Sequence, residues 1–345
     1  MLRHLGRFCP QLALALLVSG CVGDGRTPLV IYSPHGRDLL RLTEEAFEAE
    51  YPDIDVRTLD MGSQEALDRV RSERANPQGD VWFGGPSSLF ARAATDSLLE
   101  PYRPTWADAI DERGFGPDDM FFSVYETVVV LAYNRDAVSE EDAPTDWDDL
   151  LLPEWTGKIL IRNPVASGTM RTVFGMVMLR GLKDTGTEDA GFDWLRRLDA
   201  QTGDYPLNPA LLHQKMLRQE GVLTTWDLPD ILGQQSRGNP FNYVLATSGT
   251  PVIQDAIAVI RGTENLEVAE LFVEFVGSPE FQLRATREVF RLPARTDLPN
   301  DSLPEWARDV REKLVVEEMD WLLLSEKGPD WMDTWDRTVR GQGGR

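Results

Sequence analysis

Cysteine is nearly absent from this sequence. The 345-residue chain has two cysteines, Cys9 and Cys21, and both lie in its N-terminal segment. Beyond Cys21 there are two histidines, His35 and His213, which the order of predicted elements assigns to different halves of the chain. The main body of the chain therefore has no disulfide and no Cys–His pair for nucleophilic catalysis.

Long hydrophobic runs are also missing, because a bilayer-spanning helix needs ~20 apolar residues. The short run "LALALLV" at 12–18 follows Arg3 and Arg7 and precedes small residues, an order typical of an export signal. The adjoining "VSGC" resembles the lipobox of bacterial lipoproteins, which implies a signal peptide over 1–20, a lipid on Cys21 and a linker over 21–26. The alternative is an ordinary secretory signal with a chance cysteine.

Positive charge is scarce relative to negative charge. Lys and Arg number 35 against 57 Asp and Glu, for a net charge of −22. Such a surface repels nucleic acid and anionic lipid headgroups, so neither is an expected partner. An anionic ligand must be attracted by local groups, against the field of the whole protein.

Strand and helix signals alternate along the chain and predict an α/β fold with parallel βαβ units. The first region reads "PLVIYS", "DLLRLTEEAFEAEYP", "IDVRTL", "SQEALDRVRSERA" and "DVWFGG". A second alternating region follows, with helices predicted over 167–182, 188–200 and 209–219. The sequence "NLEVAELFVEFVGSPEFQLRATREV" is predicted to be helical.

Two long strand signals suggest a chain that crosses between two lobes. "MFFSVYETVVVLAYN" at 120–134 predicts either two consecutive strands or one that runs between lobes, and "PVIQDAIAVIRG" predicts a second long strand. We therefore expect lobe one at 27–128 plus 257–345 and lobe two at 129–256.

The sequence "RNPVASGTMRT" at 162–172 predicts an anion site. Pro164 ends a strand, Ser167 suits the N-cap of the next helix, and Gly168 permits close approach to the backbone. Free N–H groups of the first turn attract anions, and Ser167 and Thr169 add hydroxyl donors. The alternative is a cap that serves only its own helix. No P-loop sequence is present.

Other polar residues follow strand ends, where ligands of open α/β sheets bind. His35 and Gly36 follow the first strand, and Ser63 and Gln64 follow the second. A lone histidine is otherwise a surface or capping residue.

A third candidate group lies in "LTTWDLPD", with Thr225, Trp226 and Asp227 at another strand end. An aromatic face beside a carboxylate suits a sugar or an organic cation. The alternative is a buried anchor, with Asp227 as the N-cap of the next helix. Asp255 is an acid within an apolar strand, which indicates a hinge or a cleft. We expect Trp226, Asp227 and Asp255 to recognise the part of the solute beyond its anionic group.

Enzyme signatures are not found. The sequence has no "GxSxG" and no "HExxH", and no spacing singles out an acid/base couple. We expect neither catalysis nor a cofactor.

Taken together, "LVIYSPHG", "GDVWFGGP", "WDDLLLPEWTGKILIRNP", "SGT" and "GTPVIQDAIAVIRGTENLEVAELFVEFVGSPEFQ" resemble substrate-binding proteins of ABC importers. The resemblance is to the ferric-ion and phospho-compound branch of the type II periplasmic binding proteins. It implies two α/β lobes, each a mixed or parallel sheet flanked by helices, joined by two hinge strands around a ligand cleft.

In the ferric binders of this family, a histidine, an acid and two adjacent tyrosines hold the metal. His35 and Glu65 match the first two, but Thr225, Trp226 and Asp227 stand in place of the tyrosines. The resemblance therefore favours a phosphorylated sugar or an organophosphonate, with ferric iron or a ferric chelate as the alternative.

The resemblance further implies a monomeric, periplasmic lipoprotein that delivers a small anionic solute to an ABC permease in the inner membrane. A sensory binding protein and a lipoprotein phosphatase are rival interpretations.

Overall fold

The structure is a computed structural model that describes residues 25–341. The predicted signal segment 1–20 and the predicted lipidation site Cys21 lie outside the described residues. Within 25–341, no helix combines the length and the apolar character that crossing a membrane requires.

The chain starts with alternating strands and helices, as the apolar periodicity predicts. The first elements are β1 (Thr27–Ser33), α1 (Arg37–Glu50), β2 (Ile54–Asp60), α2 (Ser63–Ser72), β3 (Val81–Pro86), α3 (Ser87–Thr95) and β4 (Leu99–Glu100). β1 pairs in parallel with both β2 and β3. Side chains of β1 alternate between two cores, since Leu29 and Ile31 pack with α1 while Tyr32 packs with α2 and α3.

The middle and end of the chain form a second alternating region followed by helices. Its elements are β5 (Phe122–Asn134), β6 (Ile159–Leu160), α4 (Gly168–Thr185), α5 (Asp189–Gln201), β7 (Thr202–Asp204), α6 (Pro209–Leu217), β8 (Leu223–Asp227), α7 (Leu228–Ser236), β9 (Phe241–Val244), β10 (Val252–Ile260), α8 (Leu266–Gly277), α9 (Pro279–Val289), β11 (Leu292–Pro293), α10 (Glu305–Lys313) and α11 (Trp321–Thr338).

Two long strands join the halves of the molecule. The sheet order is β2-β1-β3-β10-β5-β8-β6-β7, with β4 paired to β10 and with β9 and β11 paired to β5. The residues 122–134 form one strand rather than two: its first part pairs with β10 and its last part with β8 and β9. The predicted α/β fold class and the two linking strands are confirmed.

The helix predicted over "NLEVAELFVEFVGSPEFQLRATREV" is wrong as a single element. It consists of α8 and α9, which meet at Ser278, where the backbone is extended (ψ 147°). Pro279 cannot donate an N–H to a preceding carbonyl, so it begins a helix instead of continuing one.

The packing of the C-terminal helices was not evident from periodicity. Buried side chains of α10 and α11, including Val310, Trp331 and Trp335, belong to the same hydrophobic core as α4, α5 and β8. The predicted boundaries instead assign these two helices to lobe one, 27–128 plus 257–345. We propose that the segment from Leu303 onward belongs with lobe two, because its buried side chains pack in that core. An amphipathic pattern in the sequence shows that a helix has a buried face, but it does not show which core that face packs against.

Candidate functional site

The two lobes meet where several helices begin. A Cβ placed on Gly168, the first residue of α4, would lie 2.8 Å from Ser63 Oγ and 2.8 Å from Pro86 Cδ. A Cβ on Gly62 would lie 3.2 Å from the Ala166 carbonyl oxygen. The starts of α2 and α3 in lobe one therefore touch the start of α4 in lobe two, and the cleft is closed.

The start of α4 combines a helix cap with free backbone donors. Ser167 is fully buried, and its Oγ accepts a hydrogen bond from the Met170 N–H at 3.2 Å. The N–H groups of Gly168 and Thr169 have no acceptor among the described residues. The serine hydroxyl thus serves the helix, while two N–H groups and the positive end of the helix dipole remain.

His35 lies buried beside this junction, with 4% of its surface exposed. Its ring contacts Phe83 edge to face, with centroids 4.9 Å apart. Gly84 makes this position possible, since it has φ +100° and a Cβ there would lie 2.2 Å from His35 Nε2. Burial, with the charge of Arg291 as a second cause, holds the pKa of His35 well below its usual range, so the imidazole is neutral.

Arg291, which no sequence motif singles out, lies between α9 and β11. It is 8% exposed, and its Nε has no hydrogen-bond partner among residues 25–341. Its charge acts on His35, Tyr125, Asp227 and Asp255. β11 pairs with β5 at Tyr125, which carries the arginine into the cleft.

The buried polar atoms without a partner in the part of the chain that the structure describes also include His35 Nε2, Tyr125 Oη and Thr225 Oγ1. The rings of His35 and Tyr125 are 6.0 Å apart. Buried polar groups are nearly always hydrogen-bonded, and each orphan costs roughly 1–3 kcal/mol. An unpaired arginine, tyrosine and histidine in one cleft therefore mark a binding site.

Asp227 lies across the cleft and is partly exposed. It occupies the N-cap position of α7, as the alternative interpretation expected, but its side chain makes no capping bond. Instead it accepts the Thr169 hydroxyl at 2.9 and 3.1 Å, so one of the hydroxyls predicted to bind the anion is already used within the protein. Burial, followed by the neighbouring charge of Asp230, raises the pKa of Asp227 to about 7.

Trp226 offers little free aromatic surface. Its side chain is buried, its Nε1 donates to Asp230 at 2.8 Å, and the guanidinium of Arg162 lies 5.5 Å from the ring centroid. Arg162 is a second cation that the sequence analysis missed, and its Nε has no partner among the residues described. Trp226 therefore supports the site by packing under Arg162.

Asp255 is held by its own neighbours at the hinge. It is 5% exposed, accepts the Gly85 N–H at 2.9 Å, and accepts the Thr127 hydroxyl. Burial raises its pKa, although Arg291 opposes this. The acid within an apolar strand joins β10 to β3 and β5 beneath the cleft.

The remaining predicted residues lie at the edge of the site. Gln64 donates to Asp68 at 2.9 Å, and Gly36 is an exposed N-cap of α1. Glu65 is exposed and accepts the Gly62 N–H at 3.4 Å, so its carboxylate caps α2. Among the described residues no group of three or more His, Cys, Asp or Glu is arranged to hold a metal ion.

Comparison with known proteins gives a family match and full-length relatives. The model described as "Bacterial extracellular solute-binding protein" matches residues 83–311. A probable ABC transporter periplasmic-binding protein, y4fP of Sinorhizobium fredii, is 26% identical over 94% of this chain and 90% of its own. A putative 2-aminoethylphosphonate-binding periplasmic protein of Salmonella typhimurium is 26% identical over 72% of each chain.

Solved structures share the fold. The periplasmic binding protein AfuA from Actinobacillus pleuropneumoniae, with exogenous fructose-6-phosphate bound, superposes with a TM-score of 0.81 at 24% identity and covers 92% of this chain and 100% of its own. A ferric binding protein from Campylobacter jejuni gives 0.75 at 18% identity, over 90% and 98%. Both are periplasmic-binding-protein folds with two lobes.

Proposed function

The chain belongs to the family of bacterial extracellular solute-binding proteins, and from that premise we propose that it captures a small anionic solute for an ABC importer. Members of this family bind a substrate for transport, so the protein is a binding component and not an enzyme. The solute is proposed to lie in the cleft between the lobes, at the start of α4.

Arg291 carries this proposal. A guanidinium that is almost fully buried, without an ion pair, is costly unless a ligand supplies the counter-charge. The Tyr125 hydroxyl and the free N–H groups of Gly168 and Thr169 add donors around it. Neutral His35 contributes one further polar atom, Nε2, whose role depends on the tautomer. A group with several acceptor oxygens and negative charge satisfies all of them, as a phosphate or a phosphonate does.

The opposite side of the cleft favours a hydroxyl or an ammonium group. Asp227 and Asp230 are two carboxylates close enough to raise the pKa of Asp227. An ammonium would neutralise the pair, and a sugar hydroxyl would donate to it. The proposed solute is therefore a phosphorylated sugar or an aminoalkylphosphonate, the compound classes named for AfuA and for the Salmonella relative.

Ferric iron is the alternative outcome of the same experiment. It would need His35 and Glu65 together with an exogenous chelator. Burial raises the pKa of Tyr125 far above its usual range, which opposes a phenolate ligand there. Glu65 caps its own helix.

Calorimetric titration of the protein, purified without its signal segment, tests the proposal. Fructose 6-phosphate, 2-aminoethylphosphonate and ferric citrate are the three titrants. We expect one of the two organic phosphorus compounds to bind, and Arg291→Gln to weaken that binding at least thirtyfold, since breaking a buried charge contact costs about 2 kcal/mol or more. The matched control is Arg284→Gln, an exposed arginine of α9 paired with Glu288. Tight binding of ferric citrate, with no response to the other two, would overturn the proposal.

We also propose that the protein is held at the membrane by a lipid on Cys21 and faces the periplasm, where it meets the permease. Replacement of Cys21 with serine should release the protein into the soluble periplasmic fraction. If fractionation shows the same distribution for the variant and the wild type, another feature holds the protein at the membrane. A sensory partner would use the same closure of the lobes.

A further inference from the structure

A second positively charged pocket lies on the outer side of α4, under α11. Its wall combines Ser88 and Arg92 of α3 with Arg171 of α4 and Ser325 of α11. The space between the atoms is about 340 Å³, part of it open to solvent. It shares only Pro86 and Gly168 with the cleft described above, so the two sites are separate.

The two arginines of this pocket are poorly neutralised. Arg171 Nε is buried without a partner among the described residues, and its guanidinium donates only to the Val165 carbonyl, at 2.6 Å. The side chain of Arg92 makes no hydrogen bond or ion pair within residues 25–341. Burial lowers the pKa of both arginines. The charge of Arg92 is the second cause for Arg171, whose pKa falls to about 10, and the charge of Arg71 is the second cause for Arg92. The two cations therefore repel each other in a partly dry site.

Nearby carboxylates do not cancel this charge. Asp68 acts on both arginines, but it also accepts from Gln64 at 2.9 Å and lies 3.5 Å from Arg71. Asp96 pairs with Arg71 at 2.5 Å. Three arginines thus face two carboxylates. A positive surplus here is notable because the chain as a whole has a net charge of −22.

The pocket exists only while the lobes are together. Arg92 comes from α3, whose side chains pack in the core of lobe one, whereas Arg171 and α11 pack in the core of lobe two. Opening the cleft would separate the two guanidinium groups. An anion bound between them would hold them together and oppose opening.

We propose that this pocket binds a small oxyanion of the phosphate class and that its occupation favours the closed lobes. Two guanidinium groups match the several oxygens of such an ion, and the Ser88 hydroxyl stands beside them, whereas that of Ser325 donates to the Leu322 carbonyl at 2.8 Å. The anion would act as an effector of closure, distinct from the transported solute.

Titration of inorganic phosphate tests this site. The Arg291→Gln background weakens phosphate binding in the cleft, and Arg92→Gln is then added. Because the Arg92 side chain makes no hydrogen bond within the described residues, its replacement removes none from the fold. We expect phosphate to bind the Arg291→Gln protein and Arg92→Gln to weaken that binding at least tenfold, since a charge-assisted hydrogen bond contributes about 1.5 kcal/mol or more. The matched control is Arg74→Gln, an exposed arginine beyond α2, which should leave binding unchanged.

Three results would overturn the proposal. The first is that the Arg291→Gln protein does not bind phosphate. The second is that the Arg92 and Arg74 substitutions reduce phosphate affinity equally, and the third is that neither substitution reduces it. Each of them is independent of the cleft proposal, because that proposal is tested by organic solutes and by Arg291 in the wild-type background.

Discussion

Arg237 donates to the carboxylate of Asp38, and this ion pair ties the end of α7 in lobe two to the first turn of α1 in lobe one. Both side chains are about half exposed. Such a pair contributes only about 0.2–1 kcal/mol. Here the small contribution acts on closure of the lobes, because the partners separate when the cleft opens.

Arg237→Gln should therefore weaken solute binding about twofold to threefold at low salt and leave thermal stability nearly unchanged. The difference should vanish at high salt, since exposed charges are screened. Calorimetry at two salt concentrations measures both effects. Arg41→Gln is the control, because Arg41 pairs with Glu45 within α1. Equal affinities of the Arg237 variant and the wild type at low salt would show that the pair does not assist closure.

Gly168→Ala should weaken solute binding tenfold or more, because the added Cβ would meet Ser63 and Pro86 of the other lobe. The melting temperature of the ligand-free protein should change little, since an open cleft relieves the clash. Gly233→Ala is the control: a Cβ there has 3.8 Å to its nearest neighbour, Arg237. A large loss of stability in the Gly168 variant would instead assign this stretch a purely structural role.

Asp255→Asn should lower the free energy of unfolding by about 2 kcal/mol, because one of its two acceptor positions becomes a donor facing the Gly85 N–H or the Thr127 hydroxyl. Urea denaturation measures the change. Unchanged stability with a large loss of solute affinity would contradict this result and favour direct contact with the solute, as the sequence analysis predicted for Asp255.

Asp227 should make stability depend on pH. Its pKa rises from an ordinary value of 3.8 to about 7, so the folded protein binds the proton more tightly than the unfolded chain does. The free energy of unfolding contributed by this group is therefore highest below about pH 4 and is lost as the pH rises toward 7. His35 acts in the opposite direction. Because its pKa is lowered in the folded protein, its contribution to the free energy of unfolding is lost as the pH falls below about 6.5.

The difference between the wild type and Asp227→Asn isolates the effect of Asp227. Urea midpoints of the ligand-free proteins, measured from pH 5 to pH 8, should show the wild type losing stability relative to the variant as the pH rises. Parallel pH profiles would show that Asp227 titrates at its ordinary value. Asp309→Asn, at an exposed carboxylate near Lys313, should follow the wild type throughout.

The sequence predicted the elements of the fold well where one pattern dominates. Leu39, Leu40 and Phe47 recur at helical spacing and form the buried face of α1. It predicted less well where the pattern was right and the boundary was not: Pro279 divides a helix that the apolar spacing alone makes continuous. Short strands such as β6, two residues long, carry too little pattern to be bounded.

Part of the candidate site was also readable from the sequence. His35, Ser63 and Gly168 follow strand ends, and topology requires such positions to converge at one edge of a sheet. Arg291 has no such signal. It lies between the end of a helix and a strand of only two residues, and its neighbours in the chain do not contribute to the site. Only the pairing of β11 with β5 places it beside Tyr125.

The sequence by itself determined the α/β alternation, the two long strands that link the lobes, and a helix start with free N–H groups at Gly168. The tertiary structure decided which of these groups remain unpaired. Thr169 donates to Asp227 and Asp255 accepts from Gly85, whereas Arg291 and the Tyr125 hydroxyl have no partner among the described residues. Hydrogen bonding and charge pairing depend on distances between residues remote in the chain, and local periodicity does not encode those distances.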